Sequence, residues 1–305
     1  MNKYERFEGC ILGGAIGDAY GSGYEHQSKI EDEQVYFLFG KPKTEEPSWQ
    51  ITDDTQLTLA TCEAVLDNQH ISAGIVTEYL LRCYKQRNVR GIGSSTLKAL
   101  QELSAGGHWS QVGRRGEYAA GNGAAMRIAP LGFVENLQRN TLREITSITH
   151  HNDEAYVGAL CIVLAIREIF NGNWTGEEDL HELLIAKIPD TRIRDRLIKI
   201  QELGEEKSLF EIGQLGSGAY VVDSVPLAIT AASRIKKIGF EKMYRDLIEI
   251  GGDTDTNCSI AGQLAGTLLG KKSIPNKLLY QLESLHEFVW INRVLTRFKD
   301  KYNNI

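Results

Sequence analysis

Apolar residues recur three and four positions apart over nearly the whole chain. The spacing predicts α-helices over residues 4–19, 52–66, 72–86, 94–104, 141–150, 154–170, 222–238, 241–250 and 259–269, each with one stripe to bury. Residues 177–202 predict charged, exposed helices, and 277–302 one or two amphipathic helices. No run alternates as a half-buried strand does, and no fixed-period repeat or low-complexity linker divides the chain. These patterns predict an all-α fold of roughly a dozen helices, formed as one domain over residues 1–305.

The interruptions in this pattern carry the polar chemistry. Residues 4–19 hold a small-residue face of Gly9, Gly13, Gly14, Ala15, Gly17 and Ala19. Each glycine costs a helix up to about 1 kcal/mol against alanine, so several together imply close approach of a second backbone or of a ligand. The stretch Gly13-Gly14-Ala15-Ile16-Gly17-Asp18 is not a dinucleotide fingerprint, because no strand precedes it and the spacing differs. Ile51-Thr52-Asp53-Asp54-Thr55 opens one helix, and Gly251-Gly252-Asp253-Thr254-Asp255-Thr256-Asn257 opens another. One capping residue suffices at a helix start. Two carboxylates and two hydroxyls form either an over-decorated cap or an oxygen-rich set for a hard cation. If the two stretches meet, four converging carboxylates need raised pKa values or cations, and two divalent ions answer that need.

Other segments remain open between structural and binding roles. Residues 28–50, with Pro42 and Pro47, form either a lid or a plain connector. Ser94, Ser95 and Thr96 offer a cap for the helix at 94–104. The glycine-rich loop ending in Gly121-Asn122-Gly123-Ala124-Ala125-Met126-Arg127 is an anion-accepting helix start or a tight turn. Thr149-His150-His151-Asn152-Asp153 lacks zinc-ligand spacing, so Asp153 reads as a cap and His150 as a hydrogen-bonding group. A second glycine-rich loop runs from 213 to 220, and Pro226 falls near the start of the helix that follows.

The chain carries a net charge of −6, which argues against a nucleic-acid partner bound by phosphate neutralisation. No long apolar run predicts a membrane span, and the charged N-terminus lacks a signal-peptide core, so a cytoplasmic location is expected. Cys10, Cys62, Cys83, Cys161 and Cys258 form no C-x-x-C pair and read as buried thiols. Two alternatives for the acidic motifs fail on spacing. Leu57 stands where the D-D-x-x-D motif of a prenyl-diphosphate synthase needs aspartate, and Cys258 and Leu264 stand where an EF-hand loop needs Gly and Glu.

Taken in order, Gly13–Ala19, Thr52-Asp53-Asp54-Thr55, Gly121–Arg127, Thr149-His150 and Gly252–Thr256 resemble the motifs of the ADP-ribosylglycohydrolase family. The resemblance spans about residues 7 to 270. It implies an all-α fold, a compact orthogonal multi-helix bundle, with two Mg²⁺ or Mn²⁺ ions in a cleft. It also implies hydrolysis of the bond joining ADP-ribose to a protein side chain, most often arginine, with free ADP-ribose as product. Thr52, Asp53 and Asp54 match the family's first metal-binding group, and Asp253, Asp255 and Thr256 match the second. Glu25 matches its mobile acidic residue, so the resemblance puts catalysis on Glu25, Asp54 and Asp255. Substrate contacts are implied for Asn122, Gly123, Met126 and His150, and for Gly216, Ser217, Gly218 and Tyr220 near the diphosphate and adenosine. Tyr118-Ala119-Ala120 departs from the Gly-Ser pairs of some members, and 28–50 matches no family pattern. Both departures bear on the leaving group. The implied partner is an ADP-ribosylated protein or a small ADP-ribose conjugate. Serine-linked ADP-ribose, O-acetyl-ADP-ribose, a guanidine conjugate and a binding-only role stand as the alternatives.

Overall fold

The computed structural model describes residues 1–25, 47–86 and 89–303. Most of the 28–50 segment, with its expected lid or connector role, lies outside the described residues. Helix α1 (Lys3–Gly21) starts at a capping box, in which the Asn2 side chain accepts the Glu5 N–H and the Glu5 carboxylate accepts the Asn2 N–H. It is followed by α2 (Asp53–Asp67), α3 (Ala73–Gln86) and α4 (Ser94–Ser104). Strand β1 (Arg114–Arg115) and three short 3₁₀ turns precede α5 (Arg139–Ser147) and strand β2 (His150–His151). Then come α6 (Asp153–Phe170), α7 (Leu180–Ile185), α8 (Arg192–Leu203), α9 (Leu209–Gly213) and α10 (Val221–Ser233). The chain continues through α11 (Ile235–Ile250), α12 (Thr254–Leu269), α13 (Asn276–Glu283) and α14 (Phe288–Asn303). The fold is all-α, as the periodicity predicts.

The glycine face of α1 is resolved in favour of backbone packing. Gly9, Gly13, Gly17 and Gly21 recur every fourth position and lie against Gly266, Gly262, Cys258 and Thr254 of α12, so the two helices run antiparallel. A Cβ on Gly13 would stand 2.3 Å from the Gly262 carbonyl oxygen, and one on Gly262 would stand 2.2 Å from that of Gly13. Only helices without side chains at the contact approach this closely. The Tyr244 hydroxyl of α11 donates to the Gly13 carbonyl at 2.8 Å and ties a third helix to the pair. At the other end of α1, Phe7 stacks on Phe298 with centroids 3.6 Å apart and meets Phe133 edge-on at 5.1 Å. The consequence for the site is positional: the C-terminal end of α1 and the N-terminal end of α12 are held side by side.

Several local expectations are corrected. The helix expected over 222–238 ends at Ser233, and α11 begins at Ile235, with Gly239 at φ 73° inside it. Apolar spacing continues across that break, so the periodicity alone does not show it. Pro226 lies in the second turn of α10 rather than its first, which leaves the Val222 carbonyl without a helical donor. Asn152, not Asp153, caps α6, accepting the N–H groups of Glu154 and Ala155. β1 and β2 pair in parallel, Arg114 opposite His150 and Arg115 opposite His151, too short a ladder to leave a periodic signal. All five cysteines are buried and free, as expected.

Candidate active site

Two acidic helix starts face one another across the end of the α1–α12 pair. After α11, Gly251 and Gly252 take φ of 80° and 84°, a region that favours glycine. They turn the chain into α12. The Asp253 N–H donates to the Ser217 carbonyl at 3.0 Å, and the Asn257 side chain donates to the same oxygen at 2.8 Å. Asp253 sits at the N-cap position, yet its side chain makes no capping bond. Instead it accepts from the Asn122 amide at 2.7 Å.

The α2 start is organised by Asp18 of α1. This fully buried carboxylate accepts the Thr52 hydroxyl at 2.7 Å and the N–H groups of Thr52 and Thr55, each at 3.0 Å. Asp53 and Asp54 then fall on the first turn of α2, both buried. The Thr256 hydroxyl donates to Asp54 Oδ2 at 3.0 Å, a direct bond between the two acidic stretches. They meet in space, as the sequence argument requires.

Glu25, Asp53, Asp54, Asp253, Asp255 and Thr256 line a cleft of about 180 Å³. Glu25, Asp253 and Asp255 each bring one carboxylate oxygen within 4.8 Å of the others. Asn122, Gly123, Met126 and His150 line the same cleft. Thr52 stands behind Asp53, its hydroxyl turned to Asp18. Gly216, Ser217, Gly218 and Tyr220 do not line the cleft, although their neighbour Ala219 does. Ser217 braces Asp253 and Asn257, and the Tyr220 hydroxyl accepts from Arg192 at 3.2 Å.

Burial places these carboxylates far from their ordinary behaviour. Burial, then the nearby Asp18, pushes Asp53 up to about 7. Burial, then hydrogen bonding to Asp253, pushes Asp255 up to about 10. Asp54 is raised well above the carboxylate range by burial and by Asp255. No lysine or arginine forms an ion pair with Asp18, Asp53, Asp54 or Asp255 among the described residues. Among the described residues, Asp54 Oδ1 is buried with no hydrogen-bond partner. Buried carboxylates without an ion-pair partner among the described residues, one with an orphaned oxygen, fit a divalent cation with oxygen ligands.

A pH dependence follows. These carboxyls bind protons more tightly folded than unfolded, so folded protein holds the extra protons from about pH 4 upward. Stability of the metal-free protein therefore falls as pH rises through 7, where Asp53 ionises, and on towards 10 for Asp255. The expected loss between pH 5 and 8 is on the order of a few kcal/mol. Denaturation in EDTA at the two pH values measures it, and Mg²⁺ is expected to shrink the difference by favouring the ionised forms. Equal midpoints in EDTA would contradict the cluster's electrostatics.

Three contributors escape a motif-by-motif reading. Asp18 is an aspartate on an otherwise apolar, small-residue face, and that oddity is its signal. Ser94, Ser95 and Thr96 do not cap α4: Gly93 is its N-cap with no side-chain bond, and all four residues line the cleft. The first turn of α4 thus brings uncapped N–H groups to the same cleft. Arg127 is 1% exposed beneath the loop of Asn122 and Gly123.

The profile of the ADP-ribosylglycohydrolase family matches residues 1–304. ADP-ribosylhydrolase ARH3 of Homo sapiens is 27% identical, over 92% of this chain and 90% of its own. ADP-ribosylarginine hydrolase Tri1 of Pseudomonas putida is also 27% identical, over 89% of this chain and 72% of its own. A solved structure titled "ADP-ribosylglycohydrolase-related protein complex" superposes with a TM-score of 0.71 at 26% identity, covering 97% of this chain and 98% of that one. With nearly its whole length matched, and with an all-α fold that converges both acidic motifs on one cleft, the chain belongs to the ADP-ribosylglycohydrolase family.

Proposed function

We propose that this protein hydrolyses the bond joining ADP-ribose to a modified side chain, with arginine-linked ADP-ribose as its substrate. The observation that carries the reading is the buried carboxylate cluster, without an ion-pair partner and with Asp54 Oδ1 unpartnered among the described residues, opening on a cleft beside Asn122 and His150. Two divalent cations, Mg²⁺ or Mn²⁺, are held in this reading by Thr52, Asp53 and Asp54 and by Asp253, Asp255 and Thr256. Thr52 and Thr256 each donate their hydroxyl hydrogen to a carboxylate; Thr52 Oγ1 also accepts the Asp54 N–H at 3.4 Å, which leaves it one lone pair for a cation. When bound, such ions lower the pKa of a water and hold ribose hydroxyls.

The chain's own groups supply the rest. Glu25 is exposed at the rim of the cleft, where a carboxylate can take a proton from the attacking water. Positive charge developing on the ribose is favoured by the neighbouring carboxylates. Asn122, Gly123, Met126 and His150 bound the space for the rest of ADP-ribose, with residues 216–220 behind them. A cationic guanidinium leaving group suits an acidic rim better than a neutral hydroxyl does. The proposed partner is a cytoplasmic ADP-ribosylated protein or small conjugate, and no helix among the described residues is long and apolar enough to cross a membrane.

The test is ADP-ribose release from arginine-linked and serine-linked substrates, each with Mg²⁺, Mn²⁺ or EDTA. Metal-dependent release from the arginine linkage is expected. Release from the serine linkage alone would reassign the substrate, and tight ADP-ribose binding with no release from either would make this a binding protein.

A further inference from the structure

We infer that Arg127 and Thr149 form a relay that fixes His150 as the tautomer carrying its proton on Nε2, so that Nε2–H faces the cleft as a donor to a ligand oxygen. Arg127 is almost wholly buried, and its guanidinium has donors only. One Nη donates to the Gly123 carbonyl, and the other donates to the Thr149 hydroxyl oxygen at 3.1 Å and reaches the Ile145 carbonyl at 3.5 Å. Thr149 is fully buried, and its Oγ1 lies 2.7 Å from His150 Nδ1. Among the described residues, that oxygen has no other partner than Arg127 and His150. Arg127 cannot accept, so the Thr149 hydrogen has one acceptor in reach, Nδ1 of His150. Were Nδ1 protonated instead, Thr149 would hold a buried hydroxyl hydrogen with nowhere to go, a loss of about 1–3 kcal/mol.

The other edge of the ring faces the cleft. His150 Nε2 and Cε1 lie 3.2 and 3.0 Å from where side chains on Gly121 and Gly123 would begin, so those glycines leave room for the ring at the wall. Nε2 has no hydrogen-bond partner among the described residues, although His150 is 3% exposed. Arg127 from below, Arg114 from the opposed strand position and His151 next in sequence resist a second proton, and the carboxylates on the same cleft, Glu25, Asp53, Asp54, Asp253 and Asp255, do not reverse that. Burial is the larger cause, and with those three neighbours it holds the ring down to about 3. A neutral ring with an outward N–H recognises an oxygen acceptor, which on the proposed substrate is a phosphate or ribose oxygen. This last step rests on the proposed function; the tautomer does not.

The experiment is two-bond ¹H–¹⁵N NMR of the full chain labelled at histidine, with His150 assigned by its absence in His150→Gln. The expected spectrum shows Nδ1 unprotonated and Nε2 protonated from pH 5 to 8 in the ligand-free protein. An Nδ1–H tautomer or an imidazolium in that range overturns the relay. Thr149→Val keeps the shape and removes the hydroxyl. It is expected to mix the tautomers while the other histidine signals stay in place, and Thr149→Ser is expected to restore the single form. An unchanged His150 spectrum in Thr149→Val overturns Thr149 as the determinant. ADP-ribose with Mg²⁺ is then titrated, with binding followed by calorimetry on the same sample. The Nε2 signal is expected to move at saturation, and Thr149→Val to weaken binding about tenfold. Binding without movement overturns the donor role alone. No binding overturns it together with the proposed function and leaves the tautomer as the ligand-free spectrum decided it.

Discussion

Asp54→Asn is expected to lower ADP-ribose release on the order of 10³-fold or more, above the ~10–100-fold typical when only a ligand's outer partner is lost. The same substitution is expected to raise the melting temperature of the metal-free protein. Both effects come from one carboxylate. Asp54 sits between the two acidic stretches, bonded to Thr256 through Oδ2 and leaving Oδ1 buried and unpartnered. An amide there can keep the Thr256 bond through its oxygen but turns N–H donors into the space where a cation needs a lone pair. Without the cation, the amide needs neither the charge nor the extra proton that burial beside Asp255 forces on Asp54, a burden that costs the empty fold stability at neutral pH. Opposite movements of activity and metal-free stability mark a binding group held against its own electrostatics. Melting scans in EDTA and in Mg²⁺, with turnover on the same samples, check the pair. The wild-type protein is expected to gain far more from Mg²⁺ than the variant does. Full turnover in Asp54→Asn with an undiminished Mg²⁺ response would remove Asp54 from the cation site.

The acidic helix starts are legible in sequence because they break local rules. Asp53-Asp54 and Asp253–Thr256 place more oxygen at a helix start than capping needs, and the excess marks a site. The glycines of α1 are equally visible, but their meaning is not. Close approach of a ligand and of a helix leave the same small-residue face, and only the pairing of Gly9 with Gly266 and Gly13 with Gly262 decides it. Ser94, Ser95 and Thr96 fail as caps because cap propensity is a local quantity. Here the cleft, formed by segments far away in sequence, leaves these residues on its wall. Asp18 is hidden for a similar reason. Its partners, Thr52 and Thr55, lie more than thirty positions on, so nothing near Asp18 in sequence reveals that it positions the second helix's first turn. The Arg127–Thr149–His150 chain is the least visible, since a buried arginine hydrogen-bonded to carbonyls and a hydroxyl has no spacing signature.

Gly17→Ala is expected to destabilise the protein by about 3 kcal/mol, the upper part of the usual cost of overpacking, although alanine is the better helix former by up to about 1 kcal/mol. The added Cβ would lie 2.2 Å from the Cys258 carbonyl oxygen and 2.8 Å from the Ser259 N–H nitrogen of α12. Both are backbone atoms, so no side chain can rotate away and the helices themselves must part. Gly74 in the first turn of α3 is the control. The nearest atoms to its Cβ position lie at 3.9 Å, and Gly74→Ala is expected to stabilise the fold by a fraction of the same ~1 kcal/mol. One substitution thus carries opposite signs at two helical glycines. The effect on the site goes beyond stability. Asp18 follows Gly17 directly and holds the N–H groups of Thr52 and Thr55, so parting α1 from α12 shifts the α2 acidic turn against Asp255 and Thr256. Gly17→Ala is therefore expected to weaken Mg²⁺ stabilisation under conditions where the protein is still folded. Denaturant midpoints for both variants, each with and without Mg²⁺, separate the two effects. A stabilised Gly17→Ala would show that α1 and α12 do not meet backbone to backbone. A destabilised variant with its Mg²⁺ response intact would show that the pair supports the fold without setting the spacing between the acidic turns.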